Sequence, residues 1–251
     1  MTGSDPGSDP GRNRSGNVGC TLLLGGSFDP VHAGHVALGS TFMALLGASE
    51  LRVIPTVPWQ KSALVATPAQ RADMAELAFR GQPYRVVVDR REIERGHASY
   101  TVETLRELRA ELGDDAPLCF LIGADQLARL DTWRDWRALF ALAHLCVAAR
   151  PGFSLDGPGI PAAVAAEFAA RRAPPEQLCS QPAGLTCIAA ELAMDISSTR
   201  IRTALEERHG EEDAGEDGKD HRHNTGGPIP GVLPPLVLDY IEQHKLYKKY
   251  N

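Results

Sequence analysis

Residues 25–35 read GGSFDPVHAGH, and the rest of the chain is interpreted around this stretch. The apolar residues 21–24 precede it and predict a strand, while residues 36–46 follow it with the pattern of a helix. A strand, a glycine loop and a helix start in that order present backbone N–H groups to a ligand, and the helix dipole favours negative charge there. The stretch therefore predicts a phosphate site.

Two histidines give this loop its chemical character. His32 and His35 are three residues apart, so both imidazoles are expected on one face of a first helical turn, which Gly34 leaves open to a ligand. The loop lacks the dinucleotide spacing and the Lys-Ser or Lys-Thr ending of a P-loop. The residues alone leave a second interpretation open, in which the histidines only cap or pack a strand-to-helix turn.

The chain around this stretch alternates between strand and helix patterns. We predict strands at residues 20–24, 51–55, 85–89, 117–122, 144–149 and 185–189. We predict helices at residues 33–46, 68–79, 102–112, 133–142, 161–171 and 198–207. Short apolar strands between amphipathic helices favour the α/β class, with a doubly wound parallel sheet covered on both faces and its ligand at the carboxyl ends of the strands.

Composition limits the other possibilities. The 251 residues are 43% hydrophobic and suit one domain, predicted over residues 18–251, while residues 1–17 are polar and are expected to be a disordered tail. The formal charge of −6 does not suggest a nucleic-acid partner. No signal-peptide core or membrane-spanning run is visible, and the five scattered cysteines are expected to be reduced, so a cytoplasmic location is predicted.

A second motif, DISSTRIR, occupies residues 195–202 at a predicted helix start. Its hydroxyl side chains can satisfy free N–H groups there, which would explain two of them without any ligand. Arg200 and Arg202 oppose the helix dipole, and a bound anion would remove this conflict. The motif therefore favours a second anion contact.

Other candidate residues follow the predicted strands. Gly123 would let a ligand approach the backbone and Asp125 would accept ribose hydrogen bonds, although Asp125 as a helix N-cap is an alternative. Arg150 at a strand end can reach a nucleotide or can simply lie at the surface. Lys61 in a loop after a strand can point at a phosphate, although an isolated loop lysine is usually only solvated.

Both motifs resemble those of bacterial nicotinate-nucleotide adenylyltransferases within the His-x-Gly-His nucleotidyltransferase superfamily. Residues 25–35 have the family's Gly-Gly-Ser/Thr-Phe-Asp-Pro-x-His form, and residues 196–202 match its Ile-Ser-Ser-Thr-x-Ile-Arg motif. A closing helix, predicted within residues 233–247, also resembles the family pattern. The polar residues 206–228 depart from it and are expected to form a flexible insert, with a metal site at their histidines as a weaker alternative.

The resemblance implies a Rossmann-like fold and a set of site residues. Catalytic contacts are expected from His32, His35, Lys61 and Arg202, although Gln60 stands where many members carry histidine. Contacts with ATP are expected from Gly25, Gly26, Ser27, Phe28, Gly123, Asp125, Arg150, Ser197, Ser198 and Thr199. Contacts with the pyridine nucleotide are expected from Ser99, Tyr100, Thr101 and Trp133.

The same resemblance implies transfer of the adenylyl group of ATP to nicotinate mononucleotide, with ATP and that nucleotide as the partners. Mg²⁺ is expected to arrive with ATP, because no protein metal site is visible in the sequence. Nicotinamide mononucleotide, another phosphate acceptor such as phosphopantetheine, and a non-catalytic nucleotide sensor remain as alternatives. The sequence leaves a homo-oligomer open.

Overall fold

The computed structural model describes residues 19–57, 64–149, 153–157, 159–189, 196–214 and 231–248. The predicted tail, Gln60, Lys61, Arg150 and most of the predicted insert lie outside these residues. In the part of the chain that is described, none of the helices has the length and apolar character needed to cross a membrane.

The centre of the molecule is a parallel sheet of six strands. The strands are β1 Thr21–Gly26, β2 Glu50–Pro55, β3 Arg85–Val88, β4 Leu118–Gly123, β5 His144–Ala148 and β6 Thr186–Ala189. Their order is β3-β2-β1-β4-β5-β6, and each neighbouring pair is parallel. This order reverses direction between β1 and β4, as in a Rossmann-like doubly wound sheet, so the predicted fold class and all six strands are confirmed.

Helices cover both faces of this sheet. They are α1 Ala33–Leu46, α2 Pro68–Ala78, α3 Arg91–Glu94, α4 Thr101–Leu112, α5 Ala124–Leu127, α6 Leu139–Leu142, α7 Ala162–Ala170, α8 Pro175–Leu178, α9 Ser198–Ala214 and α10 Pro235–Gln243. One core contains Phe42, Met74 and Ile241 beneath α1, α2 and α10. The other contains Leu105 and Phe168 beneath α4 and α7. Burial on two faces explains the apolar strands.

Two predicted helices have different bounds in the structure. The prediction of one helix over residues 133–142 is wrong at its start, because Asp135 has φ 50° and separates the 3₁₀ turn Leu130–Thr132 from a second 3₁₀ turn, Trp136–Ala138, which runs directly into α6. Helix α9 continues to Ala214 rather than ending at residue 207, so it enters the segment predicted as an insert. Glutamates in that segment are good helix formers.

The cysteines correct another prediction. Cys119, Cys146 and Cys187 are free and buried, as expected. A disulfide joins Cys20 to Cys179, whose Cα atoms are 4.9 Å apart. The expectation that all five are reduced is therefore wrong for this pair, because its members are 159 residues apart and meet only when α8 packs beside the start of β1.

Candidate functional site

A cleft of about 790 Å³ opens at the carboxyl ends of β1 and β4, where the strand order reverses. Ligands of doubly wound sheets bind at this switch point. The cleft is bounded by the β1–α1 loop, the start of α5 and the start of α9. Its lining includes ten of the predicted residues, namely Gly25, Gly26, Ser27, Phe28, His32, His35, Gly123, Asp125, Ser197 and Ser198.

The two histidines meet on one face of the first turn of α1. Their rings are stacked, with centroids 3.7 Å apart and planes 26° apart. The backbone N–H of His32 donates to Nδ1 of His35 at 3.2 Å. Because that nitrogen accepts a hydrogen bond, a neutral His35 ring carries its proton on Nε2. Phe28 lies edge-on to His35, with centroids 5.0 Å apart, and supports the pair from the core.

His32 is buried and neutral. Its side chain is 6% exposed, and its Nδ1 has no hydrogen-bond partner among the described residues. Burial lowers the pKa of His32 to about 4, because desolvation penalises the imidazolium. A buried polar nitrogen without a partner is costly, so His32 is suited to a hydrogen bond from or to a ligand in the cleft.

Between the two histidines, the backbone at Gly34 passes close to the His32 ring. A Cβ atom at Gly34 would lie 3.0 Å from Nδ1 and 3.1 Å from Cε1 of that ring. These contacts are tighter than ordinary van der Waals contact, so a methyl group at position 34 would push the His32 ring away. Gly26 is similar, since a Cβ there would lie 2.8 Å from the Phe28 ring.

The opposite wall comes from the start of α9. The Ser198 hydroxyl donates to the Pro30 carbonyl at 3.1 Å, and the Arg202 guanidinium donates to the Asp29 carbonyl at 2.6 Å. The second guanidinium nitrogen of Arg202 lies 3.3 Å from the Thr199 hydroxyl. Arg202 and Thr199 thus stand beside the cleft rather than in its lining.

Two buried charged residues beneath the loop were not predicted as site residues. Asp29 and Arg71 are each 1% exposed. Arg71 donates to the carbonyls of Ser27 at 2.5 Å and Thr56 at 2.8 Å, which holds the glycine loop against the end of β2. The sequence places Arg71 on a helix with ordinary core spacing, so its contact with the loop gives no local signal.

The residues predicted for the pyridine nucleotide lie on the other side of the strand ends. Trp133 packs edge-on against Phe120, with ring centroids 6.4 Å apart. The Phe120 ring would also lie 3.5 Å from a Cβ at Gly25, so Phe120 contacts both Trp133 and a residue of the cleft lining. Tyr100 and Thr101 form the start of α4. None of the four predicted residues is in the lining of the 790 Å³ cleft.

The Ser99 segment is held by a buried polar network. The Ser99 N–H donates to the Val57 carbonyl at 3.1 Å, and its hydroxyl accepts from Arg95 at 2.7 Å. Thr104 donates to the buried carboxylate of Glu92 at 2.7 Å. Burial raises the pKa of Glu92. These contacts fix the start of α4 relative to the end of β2.

Comparisons with known proteins show which family this chain resembles over most of its length. The cytidylyltransferase-like family matches residues 23–204. A probable nicotinate-nucleotide adenylyltransferase of Herminiimonas arsenicoxydans is 49% identical over 91% of this chain and 97% of its own length. That of Laribacter hongkongensis is 42% identical over 90% of this chain and 93% of its own length.

Solved structures share the fold. Nicotinic acid mononucleotide adenylyltransferase of Plasmodium falciparum, complexed with NaAD, superposes with a TM-score of 0.63 over 91% of this chain and 97% of that chain. Sequence identity is 18%, so the likeness concerns the fold.

Proposed function

The chain belongs to the family of nicotinate-nucleotide adenylyltransferases, and we propose that it transfers the adenylyl group of ATP to nicotinate mononucleotide. A 5′-phosphate oxygen of the mononucleotide attacks the α-phosphorus of ATP. The bond from that phosphorus to the oxygen bridging to the β-phosphate breaks, and its electron pair leaves with pyrophosphate. The products are nicotinate adenine dinucleotide and pyrophosphate, as needed for NAD synthesis.

The observation that carries this proposal is the stacked histidine pair facing the start of α9 across the cleft. The attacking phosphate is already an anion, so the reaction needs no general base. Catalysis then depends on positioning the two phosphates and on stabilising the charge that develops at the α-phosphorus. We assign His32 and His35 to the α-phosphate and to the oxygen of the departing pyrophosphate.

The start of α9 suits the β- and γ-phosphates. Its N-terminal N–H groups and dipole favour an anion, and Ser197 and Ser198 line the cleft there. Arg202 uses one guanidinium nitrogen on the Asp29 carbonyl, and we assign its remaining donors to the phosphates together with Thr199. Gly25 to Phe28, Gly123 and Asp125 are assigned to the rest of ATP. Lys61 and Arg150 are further cationic contacts in this proposal.

The pyridine nucleotide is assigned to the surface formed by Trp133 and residues 99–101. Trp133 is half-buried, so part of its ring can stack on a flat, electron-poor pyridine. Backbone N–H groups at the start of α4 suit the nicotinate carboxylate, and the network around Ser99 keeps them in place.

Mg²⁺ is proposed to arrive with ATP. The described residues hold no cluster of three or more His, Cys, Asp or Glu side chains that fits a resident metal. Mg²⁺ commonly binds through substrate phosphates, water and at most one or two carboxylates, which fits a cleft in which Asp125 is the single carboxylate among the described lining residues. The cation would neutralise phosphate charge. A cytoplasmic location and a homo-oligomer stay predictions.

Pyrophosphate release with ATP and Mg²⁺ tests the function, with nicotinate mononucleotide and nicotinamide mononucleotide as parallel acceptors. We expect faster release with the acid and a product with the mass of nicotinate adenine dinucleotide. Removing Mg²⁺ with EDTA should stop release, and added Mg²⁺ should restore it. Equal use of both acceptors would indicate dual specificity. No release with either acceptor would contradict the proposal.

A further inference from the structure

Asp29 has a buried carboxylate that has no role in the reaction proposed above. It is 1% exposed and receives three hydrogen bonds. The backbone N–H of Val65 donates to Oδ2 at 2.9 Å, and that of Ala66 donates to Oδ1 at 3.1 Å. The Tyr247 hydroxyl donates to Oδ1 at 2.7 Å from a position 218 residues further along the chain. This carboxylate therefore joins the β1–α1 loop to two distant segments.

The backbone of Asp29 also attaches α9 to the β1–α1 loop. The Asp29 carbonyl accepts from Arg202, and the next carbonyl, that of Pro30, accepts from Ser198. The Arg202 guanidinium also lies 4.0 Å from Oδ2 of Asp29. Arg202 is thus close enough to the carboxylate to turn towards it if the carboxylate lost another donor.

The surrounding structure holds Tyr247 in place as a hydrogen-bond donor to the Asp29 carboxylate. It is 2% exposed and has φ 60°, a conformation uncommon for a side chain of this size and maintained only by surrounding contacts. Burial raises the pKa of its hydroxyl, so the group stays protonated and donates. It follows α10, which packs against α2 beside the loop that ends at Ala66.

We propose that Asp29 positions Arg202 on the triphosphate side of the cleft, and that the hydrogen bond from Tyr247 keeps the Asp29 carboxylate in place for this role. With its carboxylate accepting from Tyr247, Val65 and Ala66, Asp29 binds Arg202 through its carbonyl and leaves the guanidinium 4.0 Å from Oδ2, so the remaining guanidinium donors face the phosphates. Without the hydroxyl, Oδ1 would lose a donor, Arg202 would move closer to the carboxylate, and it would contact ATP less well. The inference rests on the proposed function, because it assigns Arg202 to ATP.

The first experiment compares Tyr247→Phe with Tyr240→Phe in the full chain. Tyr240 is a matched control, since its hydroxyl also donates to an aspartate, Asp73, at 3.1 Å, and also joins the C-terminal segment to the rest of the domain. We expect Tyr247→Phe to raise the Kd and KM for ATP about tenfold, the weakening of one charge-assisted hydrogen bond from Arg202 to ATP, without raising the KM for nicotinate mononucleotide. Tyr240→Phe should change neither.

The second experiment separates positioning from general stability. Because the effect passes through Arg202, adding Tyr247→Phe to an Arg202→Lys chain should change the ATP Kd less than twofold, so the two substitutions are not additive. The inference is overturned if ATP binding by Tyr247→Phe is within twofold of the wild type. It is also overturned if the two effects are additive, if Tyr240→Phe weakens ATP binding equally, or if both substrates are affected alike.

Failure of the proposed function would look different. A wild-type chain that releases no pyrophosphate would contradict that function, whereas calorimetric Kd values for ATP would still decide the role of Asp29. Asp29→Asn removes the negative charge that attracts Arg202, so adding Tyr247→Phe to this variant should change the ATP Kd less than twofold. If Asp29→Asn does not fold, the Tyr247→Phe measurements decide alone.

Discussion

The wall of the cleft formed by the start of α1 differs from the wall formed by the start of α9 in burial and in charge. His32 is 6% exposed, neutral and packed against Gly34, where a Cβ atom would lie 3.0 Å from its ring. Arg202 is charged and its side chain is 22% exposed. The buried wall permits little movement and suits the phosphorus at which bonds change. The charged wall presents a partly exposed cation, which suits the phosphates that leave.

The largest expected effect comes from the buried wall. His32→Ala should lower kcat by about 10²- to 10³-fold, since it removes a preorganised donor at the developing charge. Calorimetry should show the folded domain retained. His244→Ala is the control, because His244 also stacks on an aromatic ring, Tyr240, with centroids 4.1 Å apart but outside the cleft. A near-normal kcat for His32→Ala would contradict the catalytic role assigned to the buried wall.

Gly34→Ala tests how little movement that wall permits. The added methyl would displace the His32 ring, so kcat should fall about 10- to 100-fold, the cost of a misplaced catalytic group. Alanine favours a helix by up to about 1 kcal/mol over glycine, so Tm should not fall in proportion. Gly39→Ala in the same helix is the control. Its Cβ would meet Leu51 and Phe79 in the core, so stability should respond and kcat should not.

The neutral state of His32 predicts a pH effect on stability. Its pKa lies below the ordinary value, so between pH 6.5 and pH 4 the unfolded chain binds more protons than the folded one, and stability falls as pH falls. From pH 7 to pH 5 the loss from this residue should be about 2 kcal/mol. Urea unfolding of wild type and His32→Gln at both pH values measures the difference. Parallel pH dependence would contradict a buried neutral His32.

Trp133→Ala should give a smaller and more selective effect. Loss of the stacking surface should raise the KM for nicotinate mononucleotide about tenfold and leave the KM for ATP within twofold. Trp136→Ala is a useful comparison, because Trp136 is buried in the second core and should affect Tm more than either KM. A rise in the KM for ATP upon Trp133→Ala would instead assign Trp133 to the ATP site and contradict this prediction.

Local sequence predicted the features that neighbouring residues determine. Each of these features depends on residues within its own short stretch, as in the six strands, the histidine pair and the hydroxyl-rich start of α9. Contacts between distant segments could not be predicted in this way. The Asp29–Tyr247 hydrogen bond and the Cys20–Cys179 disulfide join residues whose spacing carries no signal. The interruption at Asp135 was missed because helical apolar spacing continues across it.

Both walls imply direct transfer between two bound phosphates, with His32 and His35 as donors rather than nucleophiles. The stereochemistry at the α-phosphorus tests this claim most directly, with one diastereomer of the α-thiophosphate analogue of ATP and nicotinate mononucleotide as substrates. One displacement inverts the configuration, so we expect an inverted dinucleotide product. Retention would require two displacements through an adenylyl-enzyme, and would contradict the account.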